Sequence, residues 1–521
     1  MESGPQPTAS EVYARYRAFS RERLREESIP RFNRLEGRQR LAEVGLVRAV
    51  GAVFGEHGTT AEKKEAAAWL LGLLTDPEEK IRRYAINALP KLRPGPEAES
   101  ALLRLLETSA SERETTAVRE ALHKIGGTAT LHAMGDSAPV RVRANIARQE
   151  HPGGVVMDRN LADFRSLRIH LRGRRGLARF VCEELQDQVR TRGRFQIIDQ
   201  DKGLVALRPL SPFSLGDLTS LRCTGSVGFV LGLVKEKTGA PRMEALARAI
   251  ASPLTRRILA AFHDGPPRYR LAFIDDKAES SHVPEIAARA YALHPGLLND
   301  SQQAPWAMDV HETRVGASLE LRPRFSPDPR FAYRLHDVAA ASHPPLAASL
   351  ARWAGRPGKP ERVWDPFCGS GLELIESGLL GGVSELHGSD LSGEALVHAR
   401  ANLAAAGLVG IRTHFNCCDF RDYPKKAGIP PGSLTLVISN PPLGRRIRIP
   451  NLRGLIHDLF LAADRVLAPG GRLIFTNPVK IDCPVPSLHL EERLVADLGG
   501  FDCRLEKYVK AGLSNRMAHL P

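Results

Sequence analysis

The 521-residue chain is poor in cysteine, and its seven cysteines follow no pairing pattern. Cys182, Cys223, Cys368, Cys417, Cys418, Cys483 and Cys503 are scattered, odd in number and form no CxxC pair. That excludes a disulfide framework and a zinc knuckle, and it points to a reducing cytoplasm. No uninterrupted apolar run approaches membrane-spanning length, so no membrane partner is expected. The start, Met1-Glu2-Ser3-Gly4-Pro5, lacks the basic stretch and apolar stretch of a secretory leader. Acidic residues are in deficit as well: 59 Asp and Glu stand against 73 Lys and Arg, a formal net charge of +14. An excess of Lys and Arg points to an anionic partner. Nucleic acid is the natural candidate, because neutralising phosphates releases counterions. A GC-rich genome that favours arginine accounts for the same excess. His387, His398 and His414 lack metal-ligand spacing, and no metal is expected.

The length predicts three or four domains. Residues 1–135 read as all-helical. Apolar residues recur at helical spacing through Ala66–Leu74, then at Ile81, Tyr84, Ala85, Ala88 and Leu89, with Thr75-Asp76-Pro77 as the break between. The pattern returns at Leu102, Leu103, Leu105 and Leu106, then at Val118, Ala121, Leu122 and Ile125. Leu74 and Leu106 are 32 residues apart, and Leu89 and Leu122 are 33 apart. Paired helices at that interval predict an α-solenoid, with a plain helical bundle as the alternative. Solenoids dock other proteins, so a protein partner is a further expectation.

Residues 165–325 predict a middle α+β region. Leu167–Leu171 alternates like a strand, and Leu177–Val189 has helical spacing. Phe195–Ile198 and Leu204–Leu207 read as strands around Asp201-Lys202-Gly203. A short helix at Leu215–Leu221 and a strand at Val227–Leu231 complete a strand–helix–strand–strand–helix–strand order, that of a ferredoxin-like split βαβ unit. Two helices over 243–262, a strand at 269–274, a helix at 283–293 and strands at 306–311 and 315–321 follow.

From 335 to 521 the alternation becomes βαβα, which predicts a Rossmann-like parallel sheet covered on both faces. Ligands of such sheets bind beyond the carboxyl ends of strands, and four strand ends carry chemistry. The first is Asp365-Pro366-Phe367-Cys368-Gly369-Ser370-Gly371, whose glycines allow close backbone approach to a ligand. The second ends in Asp390-Leu391, where Asp390 lies 25 residues after Asp365 and can accept from two ribose hydroxyls. The third ends in Asp419-Phe420, an acceptor for an adenine amino group beside a ring that can pack on the base. The fourth is Asn440-Pro441-Pro442-Leu443. The Asn440 side-chain oxygen and the Pro441 carbonyl can accept both hydrogens of an exocyclic amine and stabilise its developing positive charge.

Together these loops resemble those of the S-adenosylmethionine-dependent class I RNA methyltransferases, and most closely the THUMP-containing group that methylates guanine N2 (UPF0020-type RNA methylases). The glycine loop matches that group's DPxCGSG, and Asn440-Pro441-Pro442-Leu443-Gly444-Arg445-Arg446 matches its NPPYG followed by basic residues. His343-Pro344-Pro345-Leu346-Ala347 resembles the segment that precedes the first strand in the group. The phrase Leu73-Leu74-Thr75-Asp76-Pro77 with Ile81-Arg82-Arg83-Tyr84-Ala85 resembles a HEAT repeat, and the order of elements over 165–325 resembles the ferredoxin-like plus THUMP region. One departure stands out. The group has an aromatic residue after the second proline, where it stacks on the flipped base, and this chain has Leu443. Base–aromatic stacking is worth about 1–3 kcal/mol.

The resemblance implies S-adenosylmethionine as cofactor and transfer RNA or ribosomal RNA as substrate, with guanine N2 as the methylated atom. Arg445, Arg446, Arg448 and Arg453 follow the target loop. A second basic cluster holds Arg165, Arg168, Arg172, Arg174, Arg175 and Arg179, and both clusters are candidates to grip phosphates. Two other readings stay open: a DNA adenine or cytosine amino-methyltransferase, and a HEAT-repeat scaffold or RNA-binding factor with a degenerate methyltransferase domain.

Overall fold

Apolar residues at helical spacing fold the described residues from Ala9 to Glu150 into successive helices whose buried stripes meet. The computed structural model describes residues 7–135, 138–276, 278–338, 341–355, 358–442, 444 and 449–512. Two compact units are formed: Met1–Gly154 with Leu233–Arg256 and His263–Ala317, and Val155–Gly232 with Arg257–Phe262 and Ser318–Pro521. The region 165–325 is divided between them. No helix among the described residues is long and apolar enough to cross a membrane.

In the first unit, the helices Gly45–His57, Glu79–Leu92 and Glu112–Ile125 pack in succession. Thr60–Gly72 leans on the second of these and Pro96–Thr108 on the third. Leu89 and Leu122, the two residues of the sequence interval, are both fully buried. Gly51 permits the closest approach: a Cβ there would lie 2.7 Å from the Ala88 Cβ. Buried Glu114 is held by Arg82, with Nε at 2.6 Å, and by Ser109. The same unit contains the strand Arg268–Phe273, parallel to both Leu298–Asn299 and Trp306–Thr313.

The second unit opens with strands Ile169–Arg172, Phe195–Asp201, Leu204–Pro209 and Ser226–Val234. Ile169–Arg172 lies between Leu204–Pro209 and Ser226–Val234, antiparallel to both, and Phe195–Asp201 pairs outside Leu204–Pro209. The helix Ala178–Asp187 turns Phe180, Val181 and Leu185 inward.

The rest of this unit is a seven-stranded sheet. Its elements in chain order are α1 (Pro344–Ala354), β1 (Glu361–Asp365), α2 (Leu372–Leu380), β2 (Val383–Asp390), α3 (Gly393–Ala405), β3 (Arg412–Cys417), α4 (Tyr423–Lys426), β4 (Leu434–Ser439), α5 (Leu452–Val466), β5 (Leu467–Asn477), β6 (Leu488–Asp497) and β7 (Asp502–Lys510). The spatial order is β3-β2-β1-β4-β5-β7-β6. The first five strands run parallel and β7 runs antiparallel to both of its neighbours. Strands buried on both faces need continuous apolar runs. β4 supplies one: Leu434, Leu436, Val437 and Ile438 are all essentially inaccessible. The order reverses between β1 and β4, which opens a crevice at their carboxyl ends. The closing β6–β7 hairpin was not singled out in the sequence pattern.

Candidate active site

The glycine loop leaves β1 as a tight turn tied to the end of β2. Asp365 Oδ1 accepts from the Phe367 N–H at 3.0 Å and from the Ser439 hydroxyl at 2.6 Å. The Gly369 N–H donates to Asp390 Oδ2 at 2.9 Å, and the Ser392 N–H donates to Asp390 Oδ1 at 2.9 Å. Each Asp390 oxygen keeps a second lone pair for a ligand. Gly371, at φ +87°, starts α2 in a left-handed conformation, and a Cβ there would meet the Ala399 Cβ at 3.2 Å. Those constraints explain the loop's glycine: the chain must turn in a way other residues resist and pack against α3.

Around this loop lies a cleft of about 1090 Å³. Pro366, Phe367, Cys368, Gly369, Ser370, Asp390, Leu391, Asp419, Phe420, Asn440, Pro441 and Pro442 all line it, so the residues expected at four separate strand ends meet at one opening. Asp365 is buried beneath the floor. The Phe367 and Phe420 rings pack with centroids 4.8 Å apart. Asp419 is engaged by Arg421, whose N–H and guanidinium both donate to it, at 2.9 and 2.8 Å. Leu443, Arg445, Arg446 and Arg448 lie outside the described residues.

Three polar residues absent from the sequence reading brace Asn440: Ser342 and Glu373 line the cleft, and buried Thr476 lies behind it. The Asn440 Nδ2 donates to the Ser342 Oγ at 2.9 Å, and the Thr476 hydroxyl donates to the Asn440 Oδ1 at 2.6 Å. Ser342 in turn donates to Glu373 in the first turn of α2. This chain of bonds fixes which way the Asn440 amide faces and leaves one Oδ1 lone pair uncommitted. Asp365 and Glu373 are two buried carboxyls side by side. Burial, and for Asp365 the neighbouring Glu373 charge, push both above the ordinary carboxylate range. His343 is pushed down to about 4 by burial and by Arg174. No motif could have announced Ser342, Glu373 and Thr476, because each comes from a different element.

The basic cluster of 165–179 is dispersed by its partners. Arg172 binds Glu320, Arg175 binds Asp502 and Arg179 binds Glu492. Arg168 is exposed. Arg174 donates to the Asp497 carbonyl at 3.1 Å and lines the cleft.

The residues fit a cofactor with a polar end. Asp365 Oδ2 and Ser370 Oγ are buried in the loop without a hydrogen-bond partner among the described residues. The amides that begin α2 lie beside them and favour a negative group. A parallel sheet with this strand order, a glycine loop after β1, an acidic residue after β2 and Asn-Pro-Pro after β4 define a class I methyltransferase domain. Residues 332–483 match the family described as UPF0020, RMKL-like, methyltransferase domain. S-adenosylmethionine is the methyl donor of such a domain.

Among relatives, the chain is 34% identical over 117 residues to "Ribosomal RNA large subunit methyltransferase G" of Streptomyces coelicolor, a match covering 22% of this chain and 29% of that protein. It is 27% identical over 138 residues to "Probable tRNA (guanine(10)-N2)-dimethyltransferase" of Methanothermococcus thermolithotrophicus, covering 26% of this chain and 80% of that one. Among solved structures, TrmN from Thermus thermophilus is similar at a TM-score of 0.52 and 25% identity, over 66% of this chain and 99% of that chain.

Proposed function

We propose that the chain is an S-adenosylmethionine-dependent RNA methyltransferase that modifies an exocyclic base amine, guanine N2 of transfer or ribosomal RNA. The observation that carries this reading is the oriented Asn440 amide on the cleft lined by the glycine loop and Asp390. The relatives named for ribosomal RNA and for guanine N2 of transfer RNA support the substrate class.

When bound, S-adenosylmethionine supplies an electrophilic methyl group on a sulfonium. A base amine conjugated to its ring is a weak nucleophile. The free Oδ1 lone pair of Asn440 and the Pro441 carbonyl accept its two hydrogens, which holds its nitrogen lone pair toward the methyl group. Positive charge developing on the amine would be stabilised by those two oxygens, and its surplus proton would pass to solvent. Asp390 accepts from the ribose hydroxyls. Asp419 would accept from the adenine amine with a lone pair that Arg421 leaves free, and the Phe367–Phe420 pair would cover the base. Arg174 at the cleft, exposed Arg168 and the arginines after the target loop grip phosphates. Arg172 and Arg175 serve that role less directly, since each already holds an acid.

The finer domain reading is part of the same proposal. Residues 1–135 act as a HEAT-like solenoid that docks a protein, and the succession of packed helices supports it. Residues 165–325 act as a ferredoxin-like and THUMP-like RNA grip. The strand order of the first four strands supports this, as does a likeness to TrmN that reaches beyond the methyltransferase domain. Residues 335–521 carry the chemistry. Free cysteines throughout the described chain support work in a reducing cytoplasm.

The test is transfer of labelled methyl to total transfer RNA, ribosomal RNA and duplex DNA, with Asn440→Ala as control. Label in RNA as N2-methylguanosine, abolished by Asn440→Ala, is the expected result. Label in DNA alone overturns the proposal.

A further inference from the structure

Away from the cleft, at the outer edge of the same sheet, three potential metal ligands converge. Glu385 and His387 are alternate residues of β2 and so share a face. His414, on the edge strand β3, is the register partner of His387. Their ligand atoms all lie within 4.8 Å of one another. Glu385 Oε1 is 2.9 Å from His414 Nε2, and Glu385 Oε2 is 3.7 Å from His387 Nε2.

The hydrogen bonds fix the tautomer of His387. The Tyr423 hydroxyl lies 2.9 Å from the His414 carbonyl, which can only accept, so its single hydrogen is spent there. The same oxygen lies 3.2 Å from His387 Nδ1 and must therefore accept from it. A neutral His387 then carries its hydrogen on Nδ1 and a bare lone pair on Nε2. That atom is buried, has no hydrogen-bond partner among the described residues and faces a carboxylate. A lone pair facing an anion in the interior calls for a cation between them.

We propose that Glu385, His387 and His414 form a binding site for a divalent transition-metal ion of the zinc class, distinct from the methyl-transfer cleft. Two imidazoles and one carboxylate are a zinc-type donor set, with a fourth position left to water. His414 is half exposed, at 47% of its side chain, which provides the way in and room for that water. On binding, His414 surrenders the Nε2 hydrogen it shares with Glu385, and its solvent-facing ring regains one at Nδ1. Arg362 Nε holds Glu385 Oε2 at 2.5 Å and leaves Oε1 to the ion. The nearby guanidinium disfavours ions held only by charge, such as calcium or magnesium. It disfavours less those that bond strongly to imidazole. The site would clamp the edge strand β3 to β2, three residues before Asp390 and five before Asp419.

The test uses the full-length chain stripped with EDTA, then titrated with Zn²⁺ by calorimetry and with Co²⁺ by visible absorption. Wild type should bind a single ion with a tetrahedral Co²⁺ spectrum and gain about 5 °C in Tm at saturating metal. His414→Ala, which changes a half-exposed side chain, and Glu385→Gln should each lose the spectrum and the Tm gain. Magnesium should give neither. The inference is overturned if the wild-type Tm and spectrum do not respond. It is equally overturned if His414→Ala binds as well as wild type, or if binding disappears only with Cys417→Ser, the exposed thiol nearby. None of these readings depends on methyl transfer.

Discussion

Asn440 and Ser342 are 98 positions apart in the chain, yet the Asn440 Nδ2 donates to the Ser342 Oγ across 2.9 Å. With Thr476 donating to the Oδ1, the amide is clamped at both ends. Ser342 and Thr476 are therefore positioning residues. Removing either hydroxyl, by Ser342→Ala or Thr476→Val, should lower kcat about tenfold to a hundredfold, because small misplacements of a reacting group cost that much. The KM for S-adenosylmethionine should hardly move. A loss confined to cofactor binding, measured in steady-state assays, would show that these hydroxyls do not act through Asn440.

Asp390 joins two parts of the cofactor cleft, since its oxygens receive the Gly369 and Ser392 amides. Asp390→Ala removes both acceptors and the proposed ribose contact. Hydrogen bonds to a charged group contribute about 1.5–3 kcal/mol each. The dissociation constant for S-adenosylmethionine should rise at least about a hundredfold. Asp390→Asn keeps the shape and should retain part of the affinity. Calorimetry with both variants checks the order wild type, Asn, Ala.

How much of this was legible in sequence follows from how local each feature is. The glycine loop and Asn-Pro-Pro are each one turn at one strand end, so their residues stand together in the chain and meet in one cleft. Ser342, Glu373 and Thr476 were not legible, because a loop, a helix and a strand bring them together. Thr476 reaches Asn440 only through the parallel register that sets Ser439 beside Phe475. The basic run at 165–179 illustrates the opposite limit. Its charge is plain in sequence, but Glu320, Asp502 and Glu492, which occupy three of its arginines, lie more than a hundred residues away. The cluster Glu385, His387 and His414 escaped for the same reason: its spacing makes sense only across two strands.

Glu320 should make the protein's stability fall in acid. Burial alone would raise this carboxyl, but hydrogen bonds from Arg172 and His170 outweigh it and hold it at about 2, against an ordinary 4.5. A depressed carboxyl stabilises the fold above its unfolded value, and that contribution disappears as pH falls toward the folded one. Between about pH 5 and pH 3 the group should cost about 2 kcal/mol of unfolding free energy. Urea titrations of wild type and Glu320→Gln at both pH values test this. The variant's stability should change less over that interval by about the same amount. Equal slopes would show that the pair contributes nothing to acid sensitivity.

Gly388 sits where β2 meets the glycine loop, and the space for a side chain is absent. A Cβ there would lie 2.5 Å from the Phe415 ring and 3.0 Å from the Cys368 Sγ. Phe415 is buried in β3 and Cys368 in the loop, so neither can swing into solvent. Gly388→Ala should destabilise by about 1–3 kcal/mol, the usual cost of overfilling a packed site. It should also weaken S-adenosylmethionine binding, because the displaced Cys368 belongs to the loop that lines the cleft. Phe415→Leu made together with Gly388→Ala relieves the ring contact and should recover part of the stability, while the Cys368 contact keeps binding impaired. A double-mutant cycle followed by both urea unfolding and calorimetry separates the two effects. If the second substitution restored neither, the steric reading of Gly388 would fail. If it restored both in full, Phe415 alone would carry the clash.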